Sequence, residues 1–297
     1  MDHLEDNALK SAKSLLSLAL VLVFSRPLLA TPAEEIARGD AAWNRRAEGP
    51  PSGTASDGAI TEAISAYEKA LAADSKNLEA RWKLLRALYF QGEYLTDDHD
   101  AKLAIYQRGR DLSDESRDLL FGKVGADDRL EKEDPEEIAA RVGDDPDSAP
   151  LYFWSGAHWG LWGRTRGKIA AARQGVAGKI RDFSQITILI DDEMEGAGGH
   201  RVLGRLHSEA PKLPFVTGWV DRKTAVSELE LAVEMAPDDA LNRLYLAEAL
   251  LEHAKGRDDE AEEILRDLVN KTPNPKYLVE EKDTIAKAEV LLEEIEE

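Results

Sequence analysis

Residues 225–237 read Ala225-Val226-Ser227-Glu228-Leu229-Glu230-Leu231-Ala232-Val233-Glu234-Met235-Ala236-Pro237. Residues 261–273 run Ala261-Glu262-Glu263-Ile264-Leu265-Arg266-Asp267-Leu268-Val269-Asn270-Lys271-Thr272-Pro273. Each stretch sets small or apolar residues one and two turns apart on a single helical face and ends at proline. The small residues let a second helix approach, and the breaker turns the chain into the next helix. The two stretches therefore predict two similar units, 36 residues apart.

The same spacing recurs at Ala63, Tyr67, Ala70 and Ser75, and in a degenerate form at Lys102, Tyr106 and Gly109. Partner helices follow at a matching offset: Arg81-Trp82-Lys83-Leu84-Leu85-Arg86-Ala87-Leu88-Tyr89 after Ser75, and Arg243-Leu244-Tyr245-Leu246-Ala247-Glu248-Ala249-Leu250-Leu251 after Pro237. A period near 34 residues is that of tetratricopeptide helix pairs, which stack because no pair buries its apolar face alone. Pairs are expected near 34–76, 78–115 and 225–274, with a capping helix over 277–297. The fold class is all-α: helix-pair repeats in one compact solenoid-like domain, 31–297, around a central cleft. Ile186-Thr187-Ile188-Leu189-Ile190 is the one short run that also suits a strand.

Composition narrows the function. With 38 Lys+Arg against 58 Asp+Glu, the 297-residue chain carries a formal charge of −20. That charge repels phosphate, so no nucleic-acid partner is expected, and anionic membranes are repelled in the same way. Cysteine is absent, which removes disulfides, thiolate metal sites, a cysteine nucleophile and a lipoprotein anchor. There is no G-x-S-x-G, no phosphate-binding G-x-x-x-x-G-K-[ST] and no dinucleotide fingerprint. The expectation is a non-enzymatic protein with no cofactor.

The first thirty residues differ from the rest. Lys10 and Lys13 precede Leu15-Leu16-Ser17-Leu18-Ala19-Leu20-Val21-Leu22-Val23-Phe24, then Arg26-Pro27 and Ala30. This is the pattern of a secretory leader over 1–30, although Asp2, Glu5 and Asp6 are unusual in one. The apolar run is about half the roughly twenty residues of a membrane span. A buried N-terminal helix and an uncleaved anchor are the alternatives. Export to the periplasm is expected, with membrane contact only through this segment if it is retained.

Residues 151–223 form an unusual middle. Eleven Lys+Arg against seven Asp+Glu give +4, and Trp154, Trp159, Trp162 and Trp219 fall there, four of the six tryptophans. A basic, aromatic, glycine-containing region inside an acidic chain suits small anions such as carboxylates. The competing reading is structural: tryptophans at helical spacing form core, and arginines pair with neighbouring acids. Gly156, Gly160 and Gly163 would then allow close helix packing. Gly196-Ala197-Gly198-Gly199-His200-Arg201 is expected to precede or open a helix and expose backbone N–H groups. Asp191, Asp192, Glu193, His200 and His207 make a less favoured metal alternative, because paired helical ligands usually stand four residues apart.

These stretches resemble the T-component proteins (TatT) of tripartite ATP-independent periplasmic (TRAP) transporters. The likeness rests on Arg81 to Tyr89, Tyr152-Phe153-Trp154 with Trp159-Gly160-Leu161-Trp162-Gly163, Gly198-Gly199-His200-Arg201 through His207, and Leu241-Asn242-Arg243-Leu244 with Ala247 to Leu250, and it spans roughly residues 34–292. It implies a periplasmic helical protein with a central cleft or pore. The implied partner is the transporter's solute-binding subunit, with homo-oligomers such as trimers and organic-acid or apolar ligands. No catalytic residue is implied. Members of the characterised type are lipoproteins, and the missing cysteine departs from that pattern. On this reading Trp154, His158, Trp159, Trp162, Arg164, Gly198, Gly199, His200, Arg201, Arg205 and Trp219 are the candidate ligand or partner residues. A generic tetratricopeptide adaptor for a peptide or envelope-assembly partner is the alternative.

Overall fold

The computed structural model describes residues 30–51, 53–127 and 129–297. The leader expectation lies, apart from Ala30, outside the described residues. Thr31–Glu297 is one compact unit. The described residues hold thirteen α-helices and no strand.

Most consecutive helices pack on one another. Helix α1 (Pro32–Trp43) packs on α2 (Asp57–Ala73), α2 on α3 (Leu78–Tyr94), and α3 on α4 (His99–Lys123). The short α5 (Pro135–Val142) leans on α8 (Val176–Ile190). Helix α6 (Ser148–Arg166) touches α3, α4, α8 and α9 (Met194–Glu209), with the six-residue α7 (Lys168–Arg173) at its C-terminal end. Helices α10 (Arg222–Met235), α11 (Ala240–His253), α12 (Asp258–Val269) and α13 (Leu278–Glu296) complete the series. This is the helix-pair, solenoid-like arrangement that the repeat spacing predicts.

Helix starts are set by short polar side chains. Asn77 accepts from the Ala80 N–H at 2.8 Å, Asp98 from Ala101 at 2.8 Å, and Asp239 from Asn242 at 2.9 Å. Thr31 and Glu34 form a reciprocal capping box. Each such cap contributes about 1 kcal/mol.

Glycine and apolar side chains fix how the pairs fit. Ala63, Tyr67 and Ala70, and likewise Ala225, Leu229 and Ala232, are fully buried. A methyl group on Gly39 of α1 would lie 2.4 Å from the Tyr67 ring, and one on Gly204 of α9 would lie 2.6 Å from Leu229. The device recurs in the degenerate unit, where Gly92 faces Tyr106 and Gly109 faces His158. Of the three α6 glycines only Gly163 is needed for close approach, at 2.9 Å from Val176, since Gly156 and Gly160 have ordinary room.

Two stretches take a definite form. Ile186–Ile190 is the last turn of α8 rather than a strand, because Ile186 and Thr187 fit the buried face of that helix. The glycines at 196–199 open α9 through a tight turn. Glu195, Gly196 and Ala197 form a left-handed turn, at φ 50°, 64° and 57°, built into the start of α9.

Helix α13 does more than cover α12. The buried Arg46, just after α1, donates from Nε to Glu280 Oε1 at 2.8 Å and from its other end to the Lys276 carbonyl. Lys282 reaches the Gly53 carbonyl at 3.2 Å. The last helix thereby meets the first pair, and the solenoid closes on itself.

Candidate functional site

The arrangement curves around a half-open cavity of about 1450 Å³. Its wall takes residues from the α1 end and from α3, α6, α8, α9, α11 and α13. Nine cationic and eight acidic side chains line it. The wall is thus close to neutral inside a chain of charge −20, a contrast that raises its potential relative to the outer surface.

Four of the predicted site residues line this cavity: Trp154, Arg164, Arg201 and Arg205. The other seven do not. His158 is fully buried between α3 and α4, where its Nε2–H donates to the Leu85 carbonyl at 2.8 Å. Burial pushes its pKa down to about 4, so the ring is neutral near pH 7. Trp159 donates to Asp114 at 3.1 Å and packs edge-on against Trp162, with the Arg110 guanidinium over both rings. Gly198 and Gly199 are crossing points, where an added methyl would meet Phe153 at 2.4 Å and Ile188 at 2.7 Å. His200 bonds Glu228 at 2.7 Å, and Trp219 lies under Arg181 and edge-on to His207.

The wall arginines are already engaged. Arg164 pairs with Glu93 at 3.2 Å, and Arg205 with Glu209 at 2.5 Å and with Glu248. Arg201 donates to Asn242 Oδ1 at 2.8 Å, to Asp239 at 3.4 Å, and to the carbonyls of Glu195 and Gly196 at 3.2 and 3.3 Å. It braces the left-handed turn. Asn242 helps from the other side, donating to the Gly196 and Ala232 carbonyls, both at 2.9 Å. Positive φ disfavours residues with a Cβ, and these bonds hold Glu195 and Ala197 there.

Sequence reasoning missed most of the aromatic wall. Trp43, Trp82, Tyr89, Tyr94 and Tyr245 all face the cavity. Arg86 stacks over Trp43 and Trp82, 4.2 and 5.3 Å from their centroids. Among the described residues the hydroxyls of Tyr89, Tyr94 and Tyr245 make no hydrogen bond. Burial raises all three phenols above their ordinary pKa, so they remain O–H donors at neutral pH. The Trp154 N–H is likewise buried without a partner. One signal was available: Trp82, Arg86, Tyr89 and Glu93 follow helical spacing on one face of α3.

The metal alternative finds no support. His200 is tied to Glu228, and His207 Nδ1 accepts from the Asp221 N–H at 3.0 Å. Among the described residues no three His, Asp or Glu side chains are grouped to hold an ion. No described helix is long and apolar enough to cross a membrane.

A sequence model of the tetratricopeptide repeat matches residues 221–278, which span α10 to α12. No curated protein matches the chain. The chain is therefore tetratricopeptide-like, and this repeat class points to protein–protein interaction in general.

Proposed function

We propose that this protein is a non-catalytic periplasmic scaffold that serves a TRAP-type solute transporter. Its direct partner is the transporter's solute-binding subunit, and its central cavity receives a small ligand. The observation that supports this most is the cavity itself. A helix-pair solenoid that only gripped a peptide would use a shallow concave face, whereas here α13 meets the first pair and bounds a deep, half-open cavity of about 1450 Å³.

The wall chemistry favours a ligand with an apolar body and one or two hydrogen-bond acceptors. Three tyrosine hydroxyls and the Trp154 N–H are open donors, whereas Arg164, Arg201 and Arg205 are occupied by acids. An organic acid whose carboxylate competes for one of these arginines also fits. The trimer belongs to the same proposal.

The test is capture of periplasmic proteins on tagged residues 31–297, with mass spectrometry of what is retained. A solute-binding protein at near-equal amount is the expected result. Recovery of envelope-assembly proteins instead would favour the adaptor reading, which the repeat at 221–278 supports by itself. Recovery of nothing specific would count against both.

A further inference from the structure

Acidic residues make up 58 of 297 positions, yet none occurs from Ser148 to Arg181 or from Ala210 to Val220. The topology brings parts of these two segments to one end of the molecule. Helix α6 is antiparallel to α8, and α8 to α9, so the end of α6, the start of α8 and the end of α9 lie together. Helix α7 follows the first, and the loop 210–220 follows the last. Both segments also contribute to the cavity wall, through Lys168, Ile169, Leu213 and Val216.

This end carries exposed apolar side chains. Ile169 is 73% exposed, Leu213 40%, Val216 51%, and Phe215 107%. The loop is not slack. The Leu213 N–H donates to Thr217 Oγ1 and the Thr217 N–H to the Leu213 carbonyl, both at 2.9 Å, while the buried Thr217 hydroxyl donates to the Pro211 carbonyl. Phe215 itself sits at φ +64°, a disfavoured conformation for an aromatic residue. The loop therefore holds the Phe215 side chain out into solvent.

Cations surround these tips. Arg166, Lys168 and Arg173 flank Ile169, and Lys212 precedes Leu213. All four are exposed, and none has a carboxylate within ion-pair distance among the described residues. The other arginines of this region, Arg164 and Arg181, are paired with Glu93 and Asp182.

We propose that α7 and the 211–217 loop form a docking tip for an anionic lipid surface. Apolar side chains inserted at the headgroup boundary, each beside a long cation, are the arrangement that binds a membrane interface. Phosphate headgroups are mobile and ask for no fixed partner geometry, which suits unpaired Lys and Arg heads. A protein interface would deplete the lysines. The net charge of −20 does not prevent contact, because charges beyond about 8–10 Å are screened at physiological salt. This docking stands independently of the transporter reading and of the N-terminal segment.

The test uses residues 31–297, the compact unit that contains every core cluster, so that the leader contributes nothing. The protein is sedimented with vesicles of phosphatidylcholine alone, or with about a third phosphatidylglycerol. We expect binding at least tenfold stronger to the anionic vesicles, lost in 0.5 M salt, since each cation contributes roughly fivefold. Ile169→Ser with Phe215→Ser, and separately Lys168→Gln with Lys212→Gln, should each lower binding at least fivefold. Far-UV circular dichroism confirms that both variants fold. Wild-type protein left in the supernatant overturns the proposal, as does undiminished binding by both folded variants. Retention of an acidic soluble protein by this tip, with vesicles ignored, overturns it too and reassigns the surface to a protein partner.

Discussion

Arg46 and Glu280 stand 234 residues apart in the chain and 2.8 Å apart in space. The same guanidinium lies 4.6 Å from the Trp43 ring centroid and bonds the Lys276 carbonyl. One buried side chain thus joins the first helix pair to the last helix and completes the cavity wall.

Arg46→Met should destabilise the protein by about 3 kcal/mol, because it leaves Glu280 and a carbonyl without their donor. For a chain of this size that corresponds to roughly 5–10 °C in Tm. Differential scanning calorimetry checks it. An unchanged Tm would show that the closure is held elsewhere.

Gly109→Ala should cost about 2–3 kcal/mol, since its methyl would lie 2.1 Å from His158 Nδ1 in a fully packed contact. Combining it with His158→Ala should cost clearly less than the sum of the two single changes, because the second removes the clash. Urea titration of the four proteins measures this coupling. Strict additivity would mean that the contact is not what limits this position.

His158 also predicts a pH dependence. Its folded pKa is about 4, below the unfolded value of 6.5, so the unfolded chain binds the extra proton between these limits. Stability from this group is intact above pH 6.5, falls as pH drops, and reaches its full loss of about 3 kcal/mol below pH 4. His158→Gln should abolish this component: between pH 7 and pH 5 wild type should lose about 2 kcal/mol more than the variant. Equal losses in urea titrations at the two pH values would contradict the buried neutral ring.

Asn242→Ala should release the left-handed turn. The buried amide serves Gly196, Ala232 and Arg201 at once, and its removal should cost about 3 kcal/mol. Amide hydrogen exchange should accelerate most at residues 195–198. Exchange spread evenly over α9 would mean that the turn does not depend on this brace.

Much of this architecture was legible in the residues. Ala225, Leu229 and Ala232 announce a helix packed on a partner, and they are buried as their spacing requires. The cavity was legible only in part. Trp154 and Arg164 were found because a basic aromatic cluster stands out locally in an acidic chain. Trp159 and Trp162 share that composition but are buried in the core beneath Arg110, away from the cavity, and no local pattern says which side of α6 faces the cavity. Tyr245 and Tyr94 belong to ordinary repeat helices and become neighbours of Arg205 and Glu280 only once the chain has curved round. Closure is a long-range property, and residue spacing along the chain reports only local ones.

That closure has a kinetic side. Contacts within each helix pair span few residues and can form early, whereas joining residue 46 to residue 280 must wait until the intervening pairs have set their curvature. The final event in assembly is therefore expected to be the latching of α13, preceded by an open spiral whose aromatic wall is still in water. The interval between spiral and latch is when the chain is most exposed to wrong partners.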